Sequence, residues 1–415
     1  MVTFAQLRDA KPGLWQQAAD GWQAEAAHAA QCASEIRAKG KGPVDEHWQD
    51  QVGNRAGKTL AELANKFECA SDEMRAAVMV LDALAESIGY AQSALYGAME
   101  YARKLDVTIA DDGSLQLAKG GAGLPIDLII VQERLDEVLR EATQADQKTA
   151  AALRKVGEAV GVTDPEKAVQ VDQVAASHTQ MAMLAGDIPT KADPATVSAW
   201  WKSLTAQQRY QLQLAEPTVI ASLDGIPQDV KDTLRGNGKY DRMKFVQWAL
   251  DHSSDTSIDA FHNNCANFVS TALHASGVQY KNNGWGTLDE DNWVEGMQTG
   301  VPAIDSHDYS HSATWSQADK LHDFLTRNGG HQVTLDQAKP GDVIFFDQNS
   351  PNPNIPQGQI HHTAVVTAVT PDGDIKYTQH TDNEQNLSLH GRELHENTVE
   401  GQQKVVAVRV NPNWY

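Results

Sequence analysis

Apolar positions in the first third of the chain recur at helical spacing. Trp15, Ala19, Trp22, Ala26, Ala29, Ala33 and Ile36 follow one another in steps of four and three, the stripe of an amphipathic helix. Pro12 suits the first helical position, where no N–H partner is needed. Lys39-Gly40-Lys41-Gly42 is expected to end this helix, and a second is expected from Pro43, with Asp45 and Glu46 in its first turn. Its stripe runs Val52, Ala56, Leu60, Leu63, Phe67, Ala70, Met74, Ala77, Leu81, Leu84 and Ile88. Together the two predict an antiparallel helical hairpin with a coiled-coil seam and a turn near residues 39–42. On that geometry Cys32 and Cys69 lie more than ~20 Å apart along the axis at ~1.5 Å per residue, so both read as buried apolar residues rather than a disulfide.

Val107 to Leu117 reads as two short strands around Asp112-Gly113, and Lys119 to Gly123 as a break. Residues 124–185 return to helical spacing, interrupted near Gly161 to Pro165, and Thr205 and Pro227 stand at helix starts in a short helical linker. The pattern changes at Tyr240. Twelve of the fifteen histidines lie beyond it, and runs of Val, Ile, Phe and Thr replace the helical stripe. Helices are expected from Asp241 to Leu250 and from Ala266 to Ala275, with Asn263 or Asn264 as the second one's N-cap. Strands are expected at Val343 to Phe346, His362 to Val369 and Ile375 to His380, the last two joined at Asp372-Gly373. The predicted fold class is α+β multidomain: an N-terminal helical hairpin or bundle over 1–105, a β-hairpin and helical linker over 106–239, and a C-terminal α+β domain with an antiparallel sheet over 240–415.

A chain of 415 residues exceeds one ordinary core, which agrees with that division. The net charge of −21 argues against nucleic acid or anionic membrane as a partner, because phosphates repel such a surface. No apolar run approaches the roughly 20 residues of a membrane span. The N-terminus lacks a basic region followed by an apolar stretch, so no Sec signal peptide is expected. Three cysteines are too few for a disulfide scaffold.

The chemistry concentrates around His262-Asn263-Asn264-Cys265-Ala266-Asn267-Phe268. A thiol at a helix start meets the positive dipole end and unpaired backbone N–H groups, which favour thiolate and can stabilise an oxyanion. Its base must come from elsewhere in the chain. His362 opens a strand, and His361 is the rival, sent to the opposite face by strand alternation. The turn at Asp372-Gly373 is expected to bring His380 beside His362 as the group that orients its ring. Asn264 and Asn267 are candidates to hold substrate or an oxyanion, Trp285 and Trp293 either to line a cleft or to pack structurally, and Trp315 to sit in the core. A zinc site of His262, Cys265, His362 and His380 lacks any Cys-x-x-Cys or His-Glu-x-x-His spacing, so no metal and no cofactor is assigned.

Four motifs stand in order: Asn264-Cys265-Ala266-Asn267-Phe268-Val269-Ser270, Gly341-Asp342-Val343, His362-Thr363-Ala364-Val365-Val366-Thr367 and Gln379-His380-Thr381. With them, residues from about Tyr240 to Val410 resemble the amidase family of the papain-like NlpC superfamily. The resemblance implies a papain-like fold, Cys265 as nucleophile, His362 as base and His380 as its orienting partner. Asn264 replaces the commoner Asp, and no Tyr-x-Trp-Gly-Gly precedes the thiol as in peptidoglycan endopeptidases. Trp48-Gln49-Asp50-Gln51-Val52-Gly53 and Tyr96-Gly97-Ala98-Met99-Glu100 resemble the turn and export pattern of the WXG-type proteins of type VII secretion. Trp200-Trp201-Lys202-Ser203-Leu204 and Leu223-Asp224-Gly225-Ile226-Pro227 are similar to the junction segment of WXG-type exported toxins and hydrolases. These resemblances imply a secreted cysteine amidase or peptidase exported by a non-Sec route, acting on a cell-wall peptide or amide as effector or toxin, with a secretion chaperone or immunity protein as partner. The competing readings are a deamidase, transglutaminase or acyltransferase on the same thiol, and a non-catalytic secretion or binding protein.

Overall fold

The computed structural model describes residues 1–118, 121, 123–158, 161–236, 238–283, 291–295, 311–352, 354–380, 384–391 and 402–415. The chain forms two compact units, Met1–Leu212 with Leu223–Ile226, and Gln213–Ser222 with Pro227–Tyr415.

The first unit is helical: α1 (Phe4–Arg8), α2 (Pro12–Glu35), a π-helical turn (Ile36–Lys41), α3 (Gly42–His47), α4 (Gln51–Lys104), α5 (Pro125–Glu158), α6 (Pro165–Ala168), a second π-helical stretch (Val169–Val174), α7 (Ala175–Gly186) and α8 (Pro194–Ser203), with α9 (Ala206–Ala215) beginning in it. As expected, Pro12 opens α2 and a small hairpin pairs β1 (Val107–Ile109) with β2 (Leu115–Leu117). The expected break at Lys119 to Gly123 falls partly outside the described residues.

The hairpin turn lies later than its glycines suggest. Helical structure runs through Lys39-Gly40-Lys41-Gly42, and the chain reverses at Trp48–Asp50, where Asp50 caps α4 by accepting from the N–H groups of Val52 and Gly53. Gly53 makes this reversal possible, since a Cβ there would lie 1.8 Å from Trp48 O. The later turn also brings the two cysteines closer in level than the earlier one would. Ser71 Oγ donates to Ala26 O across the hairpin, yet Cys32 and Cys69 are both free thiols, one half-buried and one buried.

The expected seam also shifts. Val52 and Leu63 are 60% and 44% exposed, and the near half of α4 instead turns Gly53, Gly57, Ala64, Glu68, Ser71, Asp72 and Arg75 inward. Small residues let the helices approach closely, and polar ones are answered in pairs: Arg37 meets Glu68 at 2.5 Å, and Gln173 Nε2 donates to Asp72. Only in its far half does α4 bury members of the predicted stripe, Leu84 and Ile88, which with Leu95 beyond it pack on Val131, Leu135 and Val138 of α5.

The second unit holds α10 (Pro217–Ser222), α11 (Gln228–Arg235), α12 (Arg242–His252), α13 (Cys265–Ala275), α14 (Ala313–Ser316) and α15 (Ala318–Arg327), with a six-stranded antiparallel sheet. Its strands are β3 (His331–Val333), β4 (Val343–Gln348), β5 (Ile360–Val369), β6 (Ile375–Thr378), β7 (Leu387–Ser388) and β8 (Gln403–Arg409), in the order β3-β8-β4-β5-β6-β7. Phe245, Phe268, Val269, Leu321 and Phe324 pack with Val343, Phe345, Val365 and Val408 in one core, which puts the helices on that face of the sheet. Ile344, Phe346, Ala364, Val366 and Tyr377 alternate to the other face and are buried as well. The molecule is thus α+β and multidomain, with no helix among the described residues long and apolar enough to cross a membrane.

Two changes in the first unit test this packing. Gly53→Ala should lower its stability by about 3 kcal/mol through the clash with Trp48, whereas Gly89→Ala, with open space around the added methyl, should raise it by about 1 kcal/mol; thermal unfolding of the pair reads both. Asp172 is 1% exposed, neither of its carboxylate oxygens meets a donor among the described residues, and burial, then the nearby Glu73, pushes its pKa up to about 6. A carboxyl whose folded value is raised costs nothing while protonated in both states and costs progressively more from about pH 4 to 6. Asp172→Asn should therefore remove part of the loss of denaturant resistance over that interval and stabilise the unit at pH 7.

Candidate active site

Cys265 is the first residue of α13, as the spacing of Phe268, Val269, Ala272 and Leu273 predicts, and it is 6% exposed. Asn264 precedes the helix but does not cap it with its side chain. Its Oδ1 accepts from the N–H groups of Ala260 and Phe261, each at 3.0 Å, and its Nδ2 donates to Phe261 O. Asn267 works on the same loop. Its Nδ2 donates to Ile258 O at 2.8 Å, and its Oδ1 accepts from Trp315 Nε1 at 2.9 Å. Both side-chain amides are thus engaged in holding residues 258–264, a scaffolding position beside the substrate or oxyanion role expected of them. With Asn264 spent on the loop, the positive end of α13 is left to the thiol.

The histidines divide differently from the expectation. His362 Nε2 lies 2.8 Å from Gln379 Oε1, and its ring sits 5.4 Å from that of Phe346. His380 is turned elsewhere. Its Nδ1 meets Ser253 O at 2.7 Å and its Nε2 meets Asp259 Oδ1 at 2.6 Å, while its ring stacks on Phe268. The sheet register gives the reason: Val365 pairs with Thr378, so Gln379 follows Tyr377 toward the His362 side and His380 alternates away from it. The group that orients the His362 ring is therefore Gln379 and not His380. Gln379 was legible in principle, since it stands in the quoted motif one residue before the histidine and only its side of the strand had to be counted.

β5 carries an irregularity at its start. Phe346 pairs with His362 and Asp347 with Ile360, leaving His361 as the extra residue of a bulge. Helix α13 packs on the Val365 side of β5, and His362 lies on the Phe346 side. A Cys265–His362 pair therefore has to meet around the end of the strand beyond the bulge, and not across the helix–sheet interface.

Trp293 does not line a cleft. It is fully buried, packs among Trp315 and Phe324, and donates from Nε1 to Ser270 Oγ at 3.1 Å. Trp315 is core, as expected. Trp285 and Thr381 lie outside the described residues, and His262 is exposed. Among the described residues no group of three or more His, Cys, Asp or Glu is arranged to hold a metal ion.

Residues 239–401 match the family model described as "Putative amidase domain". The match supports an amidase-like domain in the second unit, a hydrolase chemistry and an amide substrate. Comparison with curated proteins gave no match, and comparison with solved structures gave none.

If Asn264 scaffolds the loop, Asn264→Ala strands two backbone N–H groups and should lower the thermal stability of the second unit by about 3 kcal/mol. An oxyanion contact would instead cost turnover while leaving the unfolding transition where it was.

Proposed function

We propose that the protein is a cysteine amidase of papain-like arrangement, with Cys265 as nucleophile and His362 as base. The observation that carries this reading is the bond between His362 Nε2 and Gln379 Oε1 on a strand beside the Cys265 helix. An amide oxygen only accepts, so Nε2 carries the hydrogen and Nδ1 is left to exchange a proton with the thiol. Cys265 Sγ, as thiolate, attacks the amide carbonyl carbon, and backbone N–H groups at the start of α13 face the oxygen that becomes negative. The carbon–nitrogen bond breaks as the imidazolium gives its proton to the leaving amine. Water, deprotonated by the same ring, then attacks the thioester and releases the acid.

A second assignment has its own observation. Counted back from Val365 and Thr363, alternation directs His361 to the α13 side, and the bulge interrupts that count at this residue. The two histidines are separated by substitution.

The substrate proposed is a cell-wall peptide or amide, delivered by type VII-like export. Its support is the resemblance at Trp200-Trp201-Lys202-Ser203-Leu204, at Tyr96-Gly97-Ala98-Met99-Glu100, and at a hairpin reversal built on Trp48 and Gly53. A chaperone before export and an immunity protein in the producing cell fit the same reading. Deamidation, transglutamination or acyl transfer would use the same thiol on another acyl group.

Purified peptidoglycan digested with the wild-type protein should yield new amine and carboxyl ends by mass spectrometry, and Cys265→Ala should yield at least a thousandfold fewer. No new ends from the wild type sinks the cell-wall substrate. Cys69 serves as an internal control for thiol labelling, because burial, then the carboxylates of Asp72 and Glu68, pushes its pKa up to about 12. Iodoacetamide should label Cys265 far faster than Cys69, and the selectivity should fall about tenfold in His362→Ala and persist in His361→Ala; the reverse pattern makes His361 the base.

A further inference from the structure

His380 has a place in this unit that its motif position does not suggest. Its ring is 2% exposed, and each nitrogen faces an oxygen: Nδ1 the carbonyl of Ser253, Nε2 the carboxylate of Asp259. Carbonyl and carboxylate oxygens only accept, so the two bonds exist together only when both nitrogens carry hydrogen. The surroundings suit a cation. Asp259 supplies the opposite charge, and the ring lies parallel to that of Phe268 at 5.3 Å, where the aromatic face attracts positive charge.

Ser253 and Asp259 are the beginning and middle of the segment that ends in Asn264 and Cys265. Amides also tie it: Asn267 holds Ile258, Asn264 holds Ala260 and Phe261, and Gln385 Nε2 donates to Ser253 Oγ. His380 is a charged tie to that segment, and it comes from the sheet. Its neighbour Gln379 bonds His362 from the other side of the same strand end. One dipeptide thus fixes both halves of the reacting pair.

We propose that His380 is a positioning residue, an imidazolium clasp that fixes the nucleophile-bearing loop to the end of β6, and not a member of the proton-transferring group. The proposal rests on the reading of Cys265 as nucleophile. A ring with a single hydrogen would turn a lone pair on one of the two acceptors, so the clasp needs both. Among the described residues, the titratable groups on the elements around this clasp include Asp251 and His252 at the end of α12, Asp255 and His262 in the loop, Cys265 on α13 and Glu384 beyond β6. Asp255 is itself held low, by hydrogen bonds from Ser257 first and by the nearby histidines His252 and His380 last.

The test uses the full chain with nitrogen-labelled histidine. Long-range proton–nitrogen spectra at pH 7 should show both His380 nitrogens protonated, the resonance being assigned by its absence in His380→Gln and, independently, by its change in Asp259→Asn. Asp259→Asn can donate to an unprotonated Nε2, so its His380 should be neutral with the loop still held. Amide hydrogen exchange of residues 253–264 should quicken at least tenfold in His380→Gln and stay within twofold of wild type in Asp259→Asn. In the wild type it should quicken as the pH rises, and in Asp259→Asn it should keep only the ordinary tenfold per pH unit of intrinsic exchange. A wild-type His380 with a bare nitrogen at pH 7, or loop exchange unaltered in His380→Gln, overturns the proposal; should His380→Gln fail to fold, the wild-type spectrum and the Asp259→Asn series still decide it. Peptidoglycan or amide hydrolysis that survives Cys265→Ala would instead remove the nucleophile while leaving the protonation of His380 as measured.

Discussion

Everything in the candidate site depends on how residues 258–264 are fastened. A loop that must begin a helix at a fixed thiol cannot rely on its own backbone, because irregular backbone leaves N–H and C=O groups without ladder partners. Two asparagines answer those groups and one histidine ties the segment to the sheet. The thiol then inherits the position of the first residue of α13 from side chains whose amides are spent inward.

Much of this architecture was legible. Pro12, Asp241, Thr205 and Pro227 sit at helix starts because each has a local reason to be there, a ring without N–H or a side-chain acceptor, and local reasons survive folding. The helix at Cys265 and the strands β4, β5 and β6 likewise follow from periodicity alone. What was not legible was relational. The choice between Gln379 and His380 as the partner of His362 turns on a single step of strand register, and the side taken by His361 is obscured by one extra residue in a bulge. Gly40 and Gly42 carry the composition of a helix break, whereas the close approach that needs a glycine is at Gly53.

The two units solve burial by different means. In the second, large aromatic side chains fill the space between helices and sheet, with Trp293, Trp315 and Phe324 in mutual contact. In the first, the near half of the long helix buries alanine, glycine and paired polar groups and leaves valine and leucine outside. A pattern-based reading favours the apolar stripe as the core, and here the polar face has partners enough to compete, with Arg37 on Glu68 and Gln173 on Asp72.

The arrangement at Gln379 and His380 also limits what the gene can tolerate. The connection from Thr370 to Asp374, closed by Thr370 N donating to Asp374 O, sets the β5–β6 register together with the irregularity at Thr367. A single-codon insertion that moved the register by one pleat would exchange the sides of Gln379 and His380, leaving one histidine without its amide and the nucleophile loop without its charge. This short connection is thereby held to its length by chemistry at the opposite end of the strand.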